Sequence, residues 1–190
     1  MEADWAAEAG PGLPVIEVEW AGFVDLQREA GGVASIAEAA AEPALSEALA
    51  ALNRRDSRVF TSKCAVWKLA GEEIDPLEFD CAGEECGAGQ ASWIDVVARD
   101  AAMFASFAAH EAWVRRVTET LRGASARAGR VDLVVRGAVA GEREGFGMTL
   151  YAAGCGVDAG AARAAWAQVL GAAVAATMKE AESRASSSIG

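Results

Sequence analysis

A single histidine and four cysteines carry most of the acid–base, nucleophilic and thiophilic chemistry open to this sequence. His110 is the one side chain whose ordinary pKa falls between pH 5 and 8, so any histidine-based proton transfer runs through it. It stands on a helical stripe of Met103, Phe107, His110, Val114, Val117 and Leu121, the setting of a core or interface histidine. Glu111 beside it points about 100° away around the helix and does not pair with it.

Cys155 sits in Gly154-Cys155-Gly156, followed by Asp158 and Gly160, where a strand closes and a helix opens. Glycines in such a turn let backbone N–H groups approach an anion, which makes Gly154, Gly156 and Asp158 the candidate ligand-binding residues. A thiol near a helix N-terminus also gains thiolate character. Asp158 opposes both roles, because a cap carboxylate occupies the same N–H groups. Burial as a small hydrophobe is the competing reading of Cys155. The glycine spacing is not the dinucleotide fingerprint, which needs a further strand with an acidic ribose ligand, so no cofactor is expected.

Cys64, in Thr61-Ser62-Lys63-Cys64, is the second candidate nucleophile, with no third group fixed beside it. Cys81 and Cys86, in DCAGEEC, have the spacing of half a zinc knuckle. A tetrahedral site needs four ligands and the second pair is missing, so no metal is expected there.

The elements that must position these residues follow from hydrophobic periodicity. Period-2 alternation predicts strands at 15–26, 92–99, 130–139 and 146–155, the last two joined as a hairpin by AGEREG. The run 58–69 has apolar groups on both faces, so it is either covered on both sides or bulged. Pro76 makes 73–80 a sheet edge if it is a strand at all, and 82–90 reads as a loop. Helices are predicted at 34–53, divided at Pro43, at 101–123 and at 158–180. This order predicts an α+β fold in two layers, a mostly antiparallel sheet with helices on one face. A ferredoxin-like arrangement and its tandem version both fit, the latter through a pseudo-repeat of 14–81 on 92–155. The domain is expected over 14–180, with 1–13 and 181–190 as flexible termini.

Seventeen basic against 28 acidic side chains, a formal charge of −11, supply no basic footprint for a phosphate backbone, so nucleic acid is excluded as a partner. Hydrophobic residues at 53% provide a core. No secretory leader or membrane span is read, which leads to a cytoplasmic expectation. With no complete catalytic set, the sequence points to a small-ligand-binding or assembly protein, holding an apolar or anionic ligand between sheet and helices. The alternative is a small cysteine enzyme using Cys155 or Cys64 with His110 as base. The stretch Ala164 to Met178 carries no charge, and its smooth face around Ala172 and Ala176 predicts a homodimer.

Overall fold

The computed structural model describes residues 1–28, 31–79, 81–82 and 85–187, with side chains to 181. Six strands form one sheet. They are β1 (Glu2–Glu8), β2 (Val15–Val18), β3 (Val59–Ala70), β4 (Ala88–Ala98), β5 (Gly129–Ala140) and β6 (Arg143–Gly156). The order is β1-β5-β6-β4-β3, with β2 pairing further along β5. All pairings are antiparallel except those of β1 and β2, which run parallel to β5.

The alternation in β5 and β6 does what it predicts. Val131, Leu133 and Val135 face Leu150, Met148 and Ala152 in one apolar layer, all at 1% exposure or less. Gly141 takes a φ of 63° at the first position of the hairpin turn, a conformation that favours glycine.

The helices are α1 (Ala37–Ala41), α2 (Pro43–Leu52), α3 (Ala101–Phe104), α4 (Phe107–Arg122) and α5 (Ala159–Ser187). Pro43 opens α2, where its missing N–H costs nothing. The helix expected over 101–123 is broken at Ala105-Ser106: the Asp100 side chain caps α3 and the Ser106 hydroxyl caps α4 by accepting from Ala109 N–H. Helices α2, α5 and α4 lie side by side against one face of the sheet. Trp166 of α5 is fully buried there, its indole N–H donating to Ser92 Oγ at 2.9 Å.

Several expectations are corrected. Residues 2–8, expected within a loose lead-in at 1–13, form β1, whose Ala3 is 5% exposed and whose edge is held by Arg122 donating to the Ala3 carbonyl. The strand expected over 15–26 stops at Val18, where Glu19 turns to a φ of 64°. Residues 73–79 form no strand, short 3-10 turns occupying 71–73 and 76–79, and Asp80 lies outside the described residues. Helix α5 continues to Ser187 within the terminus expected to fray, and residues 188–190 lie outside the described residues. The two halves of the expected tandem repeat share one sheet, and a tandem ferredoxin-like arrangement is not confirmed.

The missing charge on α5 has a cause within the chain. Flanked by α2 on one side and α4 on the other, the helix buries most of its circumference, and Ala176, which the sequence places on the smooth outer face, is 4% exposed. Ala164, Gln168, Gly171 and Ala175 make up the exposed stripe that remains. Among the described residues, no helix is long and apolar enough to cross a membrane.

Candidate functional site

Strand β3 is an edge strand, and the bulge that its two-faced pattern allowed is present. Thr61 pairs with Val96 but Cys64 with Ile94, so the register shifts between them. Beside the bulge lies a pocket of about 390 Å³. Its walls include Thr61 and Cys64 of β3, Trp93 of β4, Leu49 of α2, Ile36 at the start of α1, and Trp20 and Val24 from the chain after β2. Asn53, at the end of α2, fixes this geometry: its amide N–H groups donate to the Leu49 carbonyl and to Thr61 Oγ1, and its oxygen accepts from Thr61 N–H.

Ser62, Lys63 and Glu38 add polar groups to the lining, and the first two reach Glu17 just outside it. Lys63 Nζ lies 2.8 Å from Glu17 Oε2 and 5.3 Å from the Trp20 ring centroid. That ammonium holds the Glu17 carboxyl below its ordinary range. Ser62 donates its hydroxyl proton to the Glu17 carbonyl, tying β3 to β2. Cys64 is half-buried, and burial, with the charges of Glu38 and Asp95 adding to it, pushes its thiol up to about 11. A thiol so raised carries almost no thiolate at neutral pH.

The opposite face of the sheet carries a wider groove of about 510 Å³ with Trp67, Tyr151, Arg130 and Arg136 along it. Its two guanidinium groups are already engaged. Arg130 reaches both Asp132 oxygens, and Arg136 pairs with Glu8 at 2.9 Å and donates to Thr149 Oγ1. Thr149 in turn donates to Asp95 at 2.6 Å, and burial raises the Asp95 carboxyl above its ordinary range against that hydrogen bond. Both arginines of this groove are thus held by carboxylates, as Lys63 is by Glu17 at the β3 pocket.

The residues nominated by the sequence are dispersed. His110 is fully buried on α4, its Nδ1 3.1 Å from the Ser106 carbonyl and its ring packed near Trp113 and Phe146. A carbonyl only accepts, so Nδ1 carries the proton. Phe146 and Cys155 lie on the same strand, and the stretch between them spans about 30 Å. Cys155 is therefore at the far end of the sheet from His110, and the two are not brought together. Cys64 is likewise two strands away from β6, across the Ile94 pairing.

Gly154 and Gly156 serve packing. A Cβ on Gly154 would lie 2.2 Å from Trp166 N, and one on Gly156 2.6 Å from Ala161 Cβ, so both glycines let the first turns of α5 sit down on β6. Asp158 caps that helix by accepting from Ala161 N–H at 2.8 Å.

What the sequence analysis missed is the third member of the cysteine half-site. Cys81 and Cys86 meet Cys155, which the antiparallel pairing of Gly89 with Cys155 brings alongside. To the pair in DCAGEEC the fold thus adds a third sulfur from β6. Comparison with protein-family models, with curated proteins and with solved structures finds no match.

Proposed function

We propose that the chain is a small-molecule-binding protein that receives a compact, largely apolar ligand with one polar end in the pocket between β3 and α1. The observation that carries this reading is a pocket of about 390 Å³, within the range of small-molecule sites, walled by Trp93, Leu49 and Ile36 with Lys63 and Glu38 also in its lining. It lies between sheet and helices, where the sequence analysis expects a ligand. Cys64 is a wall of this pocket and not a nucleophile, because its thiol is held protonated and His110 does not reach it.

Titration with 1-anilinonaphthalene-8-sulfonate tests the reading, since this probe combines an apolar body with one anionic group. Saturable binding at one equivalent is expected, and Ile36→Trp, which fills the pocket from α1, abolishes it while the circular dichroism spectrum is unchanged. Equal binding by the native protein and the filled variant would sink the proposal.

A further inference from the structure

Three sulfur atoms, two from the connection before β4 and one from β6, meet at the end of the sheet remote from His110. Cys81 follows the turn at 76–79, Cys86 precedes β4, and Cys155 is near the end of β6. The Sγ atoms all lie within 4.8 Å of one another. Sγ of Cys86 sits against both other sulfurs, and those of Cys81 and Cys155 are 3.3 Å apart. One sulfur forms one disulfide, so no disulfide pairing uses all three. The Cα atoms of Cys81 and Cys86 are 7.2 Å apart, wider than disulfides usually span, while those of Cys86 and Cys155 are 5.3 Å apart, so a disulfide between the latter pair is the oxidised alternative that leaves Cys81 over.

We infer that Cys81, Cys86 and Cys155 together bind one thiophilic d10 metal ion, Zn2+ or Cu+. Thiolate ligands select these ions over the hard cations that prefer oxygen. Three thiolates, once they part to surround the ion, complete a trigonal Cu+ site, and for Zn2+ they leave the fourth position to water or a small exogenous thiol.

The surroundings fit this role. Cys155 and Cys86 are 1% and 6% exposed, and Ile74 and Phe79 pack around them in an apolar cluster. Such a shell restricts water and strengthens metal–thiolate attraction, while it disfavours thiolates that have no cation beside them. The framework is rigid on one side: Cys155 N–H donates to the Ala128 carbonyl at 2.9 Å within the β-sheet end that α5 covers. Cys81, partly exposed and with its N–H donating to the Pro76 carbonyl, stands on the solvent side. A metal ion can therefore enter from Cys81 and be completed by the two buried sulfurs.

The test uses the full chain, reduced and freed of reductant without oxygen. Zn2+ is titrated in competition with a chromophoric chelator and Cu+ in competition with bathocuproine disulfonate. One equivalent of at least one ion is expected to bind, the tighter of the two identifying the metal, with protons released as the thiols ionise. Cys86→Ser and Cys81→Ser are each expected to weaken binding by more than the roughly 10–100-fold that loss of an outer-shell partner costs. Cys64→Ser, away from the cluster, leaves it unchanged. Because Cys81 is partly exposed, its variant keeps the test valid if Cys86→Ser folds poorly by circular dichroism. No binding of either ion, or equal weakening by Cys64→Ser, would overturn the inference.

Discussion

Cys64 and the cluster of Cys81, Cys86 and Cys155 set the same side chain in two environments. Cys64 faces a pocket and has carboxylates in its field, Glu38 and Asp95, which together with burial keep its proton on. Cys86 and Cys155 are enclosed as well and Cys81 partly so, yet each has sulfur for a neighbour. Burial alone makes a cysteine inert; burial among other thiols makes it a ligand once a cation supplies the missing positive charge. The difference lies in the company each thiol keeps, which is set by strand register.

The largest effect expected to break this contrast comes from Gly154→Ala. Its methyl would collide with the α5 backbone at Trp166, lifting the helix from β6 and displacing the neighbouring Cys155. A loss of about 3 kcal/mol or more is expected in urea unfolding, at the upper end for overpacking. An unchanged midpoint would mean that α5 does not seat where described.

Next is the reactivity of Cys64 itself. A thiol pushed to about 11 from an ordinary value of 9.0 has about 100-fold less thiolate at pH 8, and iodoacetamide should label it correspondingly slowly in the native protein and rapidly after unfolding. Fast native labelling at Cys64, mapped by peptide mass, would erase the distinction from the pocket side.

Asn53→Ala follows. It leaves the buried Thr61 N–H and hydroxyl without their partner and should cost about 2 kcal/mol. It should also loosen the pocket wall, so that probe affinity falls while metal affinity holds.

Asp95→Asn sharpens the comparison with the smallest change. Burial holds this carboxyl above its unfolded value near 3.8, so the folded chain binds its proton more tightly than the unfolded chain does. The stability it contributes is present in acid and is lost as pH rises through the raised pKa. An amide can still accept from Thr149 but does not ionise. The variant should therefore gain on the native protein from acid to neutral pH, and Cys64, relieved of one negative neighbour, should label somewhat faster. A gap that narrows as pH rises would contradict the assignment.

Local patterns made much of the sheet legible. Arg130 to Val139 and Phe146 to Cys155 alternate cleanly because one face of each meets the helices, and Pro43 announces the start of α2 by its own geometry. Strand β1 was illegible because EADWAAE offers small residues where a buried strand usually shows bulk, and its partner is far away in sequence. The pocket was half legible: the pattern of 58–69 allowed a bulge, but not which segment would close over it. The thiol cluster required the β4 to β6 register, and no spacing within DCAGEEC encodes where the Cys155 strand will lie.

The parallel pairing of β1 with β5 also has a consequence in time. Glu8 pairs with Arg136, so β1 lacks its β5 partner until the ribosome has completed β5. At about 5–20 residues per second that is a wait of roughly 6–25 s, during which Trp5 and its neighbours stay solvated or transiently associated with other surfaces. Seating β1 closes a loop of more than a hundred residues, the kind of non-local step that slows folding. The β5–β6 hairpin, closed by a tight turn, can form within microseconds of its synthesis. Pulsed hydrogen exchange during refolding should find the amides of β5 and β6 protected ahead of those at Glu2–Glu8, so that β1 is seated after strands made later than itself.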